Sequence, residues 1–225
     1  MDKYIGIIVA TPEEMKELKS IMMESEKIKI FNLDFYKGKI NDKNYVLVKC
    51  GVGKVNAART TQILIDNFDI ESIINVGVAG GLSNNINIGD IVIGEKLVQH
   101  DFDITAFGYE KGYISETGKL FESDRNLIER CRKINIQNVQ IVLGTIASGD
   151  IFCTDIKMKE NIRIKFNSDC VEMEGASIAQ TAYLCNIPFV VIRAISDIPN
   201  GNNQVDYEQF VEKAAKNCAE FIKQL

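Results

Sequence analysis

KYIGIIVATPEEM, residues 3–15, decides the architecture. Lys3 to Ala10 is a continuous apolar strand pattern with Gly6 inside it, and such a run suits a strand buried on both faces. Thr11 can cap a helix, Pro12 suits its first position, and Glu14 falls where a capping box needs a carboxylate. The pattern predicts a helix from there to about Met23. A two-faced strand feeding at once into a helix is the unit of α/β proteins.

Outward from this unit the same alternation continues. Ile28–Phe31, Phe35–Ile40 and Tyr45–Cys50 read as short strands, with a hairpin signal at Asn41-Asp42. Gly51-Val52-Gly53 is a tight turn into a helix on which Val55, Ala58, Leu64, Ile65 and Phe68 are roughly helically spaced. Ser72–Val76 is a buried strand closed by a small-residue loop, Gly77 to Gly81. Ile91–Val98, Val139–Ala147, Cys170–Glu172 and Phe189–Ile195 are further strands. Asp124–Lys133, Asp155–Phe166 and Gly175–Cys185 read as helices, and Asp101–Leu120 as irregular. Tyr207, Phe210, Val211, Ala214, Ala215, Cys218, Phe221 and Ile222 mark a final amphipathic helix. With no repeat and no linker, the expectation is one α/β domain over 1–225 around a central, largely parallel sheet.

Composition narrows the function. The chain has 225 residues, 46% hydrophobic and 25% charged, which is ordinary for a globular protein. Its net charge of −5 makes it a poor general binder of nucleic acid and better suited to small uncharged or cationic ligands. The six cysteines are scattered without zinc-like spacing, and four occupy apparent core positions. They are expected to be thiols of a cytoplasmic protein. No signal peptide is read at the N-terminus, and no apolar run approaches the roughly 18 residues that would suggest a membrane partner. His100 is the only histidine, which argues against His-based metal sites and a Ser-His-Asp hydrolase.

Ligands in open α/β sheets bind beyond the carboxyl ends of strands. Four such ends carry unusual residues: Glu14 after the first, the glycine-rich loop after Val76, Met173 and Glu174 after Glu172, and Ser196 and Asp197 after Ile195 with Arg193 upstream. Carboxylates and an arginine on one rim would make an acid–base site of the kind glycosidic hydrolysis needs. Each also has a plainer reading. Glu14 could be only a capping-box member, the glycine loop a plain turn, and Glu172 with Glu174 a solvated pair. Asp197 could cap a turn before Pro199, and His100 could be structural or lie on the surface. The aromatics of Phe102–Tyr113 could be loop packing or an oligomer contact.

At these residues the sequence resembles the 5′-methylthioadenosine/S-adenosylhomocysteine nucleosidases, within the purine nucleoside phosphorylase/uridine phosphorylase superfamily. The resembling stretches are IGIIVATPEEM (5–15), CGVGKVNAA (50–58), NVGVAGGL (75–82), DITAFGYE (103–110), SGDIF (148–152), VEMEGASIAQ (171–180) and VIRAISD (191–197). The resemblance implies a three-layer αβα fold around a mixed, barrel-like sheet, a homodimer, and hydrolysis of the N-glycosidic bond of adenine thioribosides without metal or organic cofactor. It implies Asp197 as general acid toward N7 of adenine, Glu14 as activator of water, Glu174 on the ribose hydroxyls and Arg193 holding water and carboxylates. Met173 would lie on the ribose, Phe152 would stack on adenine, and the Cys153 backbone would read its edge. Val52 and Tyr207 would line the 5′-thio pocket, which Ile104 and Phe107 of a partner subunit would complete. Val78, Ala79, Gly80 and Ser196 would belong to the same substrate site.

Two departures stand out against the family pattern. Val78 occupies a position that commonly carries a hydroxyl, and Thr11-Pro12 replaces the more usual apolar-acidic pair. The related phosphorylases need cations for phosphate. Their Gly-Asp-Pro and Arg loop is absent, and Asn75 stands where they carry an arginine, so water is expected over phosphate. Related hydrolases act on aminofutalosine or 5′-deoxyadenosine, and the sequence leaves both open. A non-catalytic nucleoside-binding module remains the contrasting class, against which intact Glu14, Glu174, Arg193 and Asp197 argue.

Overall fold

A computed structural model describes residues 3–198 and 203–225. β1 (Tyr4–Val9) runs into α1 (Pro12–Ser20), and β2 (Met23–Ile30), β3 (Leu33–Ile40) and β4 (Lys43–Lys49) form consecutive antiparallel hairpins. α2 (Lys54–Asn67), β5 (Ile70–Gly81) and β6 (Ile91–Gln99) follow. After an irregular stretch come β7 (Phe121–Glu122), α3 (Arg125–Cys131), β8 (Ile141–Ser148) and α4 (Ile156–Phe166). β9 (Cys170–Glu172), α5 (Gly175–Leu184), β10 (Phe189–Asp197) and α6 (Asn203–Gln224) complete the order.

Strands β5, β10, β6, β8 and β9 pair in turn, and β9 returns to β5, so five strands close into a barrel. β1, β4, β3 and β2 extend the sheet outward from β5. The sheet is mixed, not largely parallel. β1–β4, β1–β5, β5–β10, β6–β8 and β8–β9 are parallel, whereas β10–β6, β5–β9, β6–β7 and the two hairpins are antiparallel. Two-residue connections such as Asn41-Asp42 can join only antiparallel neighbours, and closing the ring reverses two more pairs.

β1 is buried on both faces, as its unbroken apolar run requires. Ile5, Ile7 and Val9 pack with Leu18 of α1 and with Ala214, Cys218, Phe221 and Ile222 of α6. Ile8 points the other way, into the cluster shared with Ala57 and Leu64 of α2 and Ala176, Ile178, Ala179 and Ala182 of α5. Helices therefore cover the sheet on two sides. Each large apolar side chain buried this way stabilises the fold by about 1.5–3 kcal/mol.

Several further expectations need correction. α1 stops at Ser20 rather than near Met23, because Met23 already pairs with Lys39 in the β2–β3 ladder. β2 is a charged, mostly exposed edge strand, so its first half carries no apolar signal. The stretch Gly77–Gly81 is not a loop but the second half of β5. It pairs with β10 from Arg193↔Gly77 to Asp197↔Gly80 and with β9 at Gly80↔Val171. Glycine and alanine have weak strand preference, and here the ladders on both sides override it. Five cysteines are buried rather than four, and all six are free thiols. No helix among the described residues is long and apolar enough to cross a membrane.

Candidate active site

The carboxyl ends of β1, β5, β9 and β10 meet at a cavity of about 470 Å³. Glu14, Val52, Val78, Ala79, Gly80, Phe152, Met173, Glu174, Ser196, Asp197 and Tyr207 line it, together with Ala10, Thr11, Val171 and Glu172. Arg193 lies beneath this surface, and Cys153 borders a small adjoining cleft formed with Gly80, Phe152, Met173 and Asp197. Ile104 and Phe107 are not brought in. They sit on the irregular segment near a short 3-10 turn, and the Phe107 ring is 80% exposed.

Glu14 is both a capping-box member and a cavity carboxylate. Its N–H donates to Thr11 Oγ1 at 3.4 Å, and its Oε2 accepts from the N–H groups of Ala10 (2.8 Å) and Thr11 (3.0 Å). Its Oε1 accepts from Val78 N–H at 3.0 Å. A Cβ on Gly77 would stand 2.7 Å from that Oε1, so only glycine leaves room for the carboxylate against β5. Burial raises the Glu14 pKa, while Arg193 and the three N–H donors oppose the rise. The result is a carboxyl group closer to the basicity that a general base needs near neutral pH.

Glu172 and Glu174 are not a solvated pair. Glu172 accepts from Arg193 Nε at 3.2 Å and from Arg193 Nη2, and Ser148 Oγ donates to its other oxygen. The N–H groups of Glu174 (3.0 Å) and Gly175 (2.7 Å) donate to it as well. Burial alone would raise its pKa, but Arg193 and these donors outweigh burial and hold it below the usual carboxylate range. Among the described residues, Glu174 takes only the Gly53 N–H, at 2.8 Å. Burial, with the Glu172 charge beside it, pushes its carboxyl up to about 8. Neighbouring carboxylates are thus driven apart, as sites doing acid–base work require. The guanidinium of Arg193 is fully engaged, since Nη2 also meets Asn75 Oδ1 and Nη1 donates to the Ile192 carbonyl at 3.0 Å.

Asp197 lines the same cavity. Ser196 Oγ donates to its Oδ1 at 3.0 Å, and Lys159 Nζ of α4 lies 2.7 Å from its Oδ2. Asp197 is only 2% exposed and ends β10; its reading as a cap of a turn before Pro199 falls on residues outside those described. Phe152 and Tyr207 meet edge to face at 5.7 Å and wall the mouth. Burial, helped by surrounding carboxylates, lifts the Tyr207 phenol to about 12. His100 is buried away from the cavity, with no partner for Nε2 among the described residues.

Sequence reasoning gave no anchoring role to Glu172, Asn75 or Lys159, side chains that help hold Arg193 and Asp197. Lys159 had a signal: it occupies the same helical face as Ile162 and Phe166, three and seven residues on, where a lysine is out of place unless paired.

Comparison with known proteins agrees over the whole chain. The family model described as Phosphorylase superfamily matches residues 4–225. The 5′-methylthioadenosine/S-adenosylhomocysteine nucleosidase of Staphylococcus aureus (strain NCTC 8325 / PS 47) is 41% identical over 224 residues, 98% of each chain. The Neisseria meningitidis nucleosidase of that name, solved with methylthio-immucillin-A, is 34% identical and superposes with a TM-score of 0.95 over 100% of this chain and 98% of its own. Futalosine hydrolase of Helicobacter pylori strain 26695 is 32% identical, with a TM-score of 0.94 over 99% and 96% of the two chains. Matched along nearly its full length in sequence and in fold, the chain belongs to the 5′-methylthioadenosine/S-adenosylhomocysteine nucleosidase family of the phosphorylase superfamily.

Proposed function

We infer that the protein hydrolyses the N-glycosidic bond of 5′-methylthioadenosine and S-adenosylhomocysteine, releasing adenine and a 5-thio-substituted ribose. The observation that carries this reading is one cavity lined by both a backbone-clamped carboxylate, Glu14, and a buried aspartate, Asp197. Adenine is a poor leaving group as an anion, so Asp197 protonates N7 while C1′–N9 breaks. Such protonation typically contributes about 10²–10⁴-fold. Glu14 takes a proton from water as it attacks C1′. Glu174 holds the ribose hydroxyls, and its charge becomes favourable as the sugar turns cationic. Glu172 and Arg193 fix the floor of the site. Met173 lies against the ribose, Phe152 stacks on the base, and the Cys153 backbone reads its edge.

Water rather than phosphate is the nucleophile on this reading. Phosphate would meet the carboxylate of Glu14, and the guanidinium of Arg193 is already occupied by Glu172, Asn75 and the Ile192 carbonyl. Val78 offers Glu14 only its N–H, so the attacking water loses a hydroxyl partner there. The site is completed in a homodimer, where Ile104 and Phe107 of each subunit reach the 5′-thio pocket of the other. The exposed Phe107 ring and the stacked Tyr109–Tyr113 pair beside it suit such a contact. The reading extends to one nucleosidase domain over 1–225, working in the cytoplasm in methionine salvage, and free thiols suit that compartment.

Adenine release from methylthioadenosine in phosphate-free buffer tests the reading. Release is expected at full rate without phosphate, with inosine a poor substrate. Strict dependence on phosphate would convert the assignment to a phosphorylase, and binding without release would convert it to a binding module.

A further inference from the structure

The acid end of the cavity presents a chemical difficulty that the proposed reaction alone does not resolve. A side chain that hands a proton to the base must be resupplied with one, and Asp197 faces the Lys159 amino group 2.7 Å away. Lys159 Nζ is nearly as inaccessible as Asp197 itself, with side-chain exposures of 1% and 3%. The other lysines of α4, Lys157 and Lys165, are exposed, whereas Lys159 takes a place on the face shared with Ile162 and Phe166. The sheet is also shaped around the pair. A Cβ on Gly80 would stand 3.0 Å from both Lys159 Nζ and Asp197 Oδ2, so β5 leaves its side-chain space to this contact.

We propose that Lys159 is a positioning residue that holds Asp197 in place and stores the proton that Asp197 delivers to the departing base. The inference rests on the hydrolase reading given above. One proton passes from the Lys159 ammonium to Asp197 and on to N7. The C1′–N9 bonding pair goes to adenine, water adds to C1′, and its proton goes to Glu14. Lys159, left as a neutral amine, regains a proton from solvent when adenine leaves and Glu14 returns its own. Other ionisable groups surround this path. Glu14 of α1, Glu174 at the start of α5, Glu172 of β9 and Arg193 of β10 lie in or under the cavity. Tyr207 of α6 and Cys153 before α4 carry electrostatic influence from Asp197 as well. None of these is hydrogen-bonded to Lys159 among the described residues, and Lys159 Nζ is the cationic group that meets Asp197 there.

Lys159→Met and Lys159→Arg separate proton supply from charge and packing. Arginine keeps the positive charge but does not release a proton. Steady-state adenine release from methylthioadenosine, with melting temperature and adenine binding as controls, is measured for both variants, for Asp197→Asn and for the Lys159→Met/Asp197→Asn double variant. The expected result is a fall in kcat of about 30-fold or more in both lysine variants, with KM and adenine affinity within about threefold of wild type. In the Asp197→Asn background, Lys159→Met is expected to cost less than about threefold, because its effect passes through the aspartate. Full activity in Lys159→Arg, a loss confined to KM, or an undiminished cost in the Asp197→Asn background would overturn the inference. If arginine does not pack, Lys159→Met and its double variant still decide the matter. Wild-type protein that releases no adenine would instead remove the hydrolase reading itself.

Discussion

Glu14 and Asp197 are buried carboxylates of one cavity, yet the fold holds them by different means. Glu14 is clamped by backbone: Ala10, Thr11 and Val78 N–H groups reach its two oxygens, and two of those donors lie within four residues of it. Asp197, among the described residues, takes side-chain partners, Ser196 next to it and Lys159 38 residues away. Backbone donors orient a carboxylate without supplying a transferable proton, whereas an ammonium can do both. A base needs the first arrangement and an acid is served by the second. The Glu172–Arg193 pair, tied also to Ser148, Asn75 and the Ile192 carbonyl, contributes rigidity rather than protons.

If the ends divide the work in this way, removing the acid costs most. Asp197→Asn is expected to lower kcat for adenine release by about 10²–10⁴-fold while leaving adenine binding measurable. The floor should answer in stability instead. Glu172→Gln strips the buried Arg193 of its counter-charge, and denaturant unfolding should show a loss of about 3 kcal/mol or more.

Glu174 gives a pH-dependent contrast. Its folded pKa of about 8 lies above the ordinary 4.5, so it favours the folded state below 4.5, and that contribution is lost as pH rises toward 8. Glu174→Gln should therefore gain about 5 °C in melting temperature relative to wild type between about pH 5 and about pH 9. A constant difference across that range would show that Glu174 is ionised throughout. The smallest effect is expected at the base end. Thr11→Ala removes one cap acceptor of α1 and should cost about 1 kcal/mol in thermal or chemical unfolding.

Much of this was legible in the sequence because the determinants are local. The capping box of Thr11 and Glu14 spans four residues, and the same contacts that start α1 aim the Glu14 carboxylate. The turn Gly51-Val52-Gly53 was readable as a turn, though not that its last N–H would hold Glu174. The glycine-rich stretch misled for the opposite reason. Its composition signals a loop, but its conformation is set by β10 and β9, which pair with it from more than 80 residues away. Glu172 and Glu174 looked alike in sequence, two acids around one methionine. Only the approach of Arg193 and Ser148 to one of them sends their proton affinities in opposite directions.

The sequence by itself determined the alternation of buried strands and helices, the cap on α1 and the set of strand ends where chemistry could collect. These follow from hydrophobic period and side-chain-to-backbone contacts a few residues long. Tertiary structure alone decided that the sheet closes into a barrel, that Gly77 and Gly80 yield space to carboxylates, and that a lysine from α4 meets Asp197. Such pairings join residues far apart in the chain, and their strength comes from shared burial, which no local pattern records.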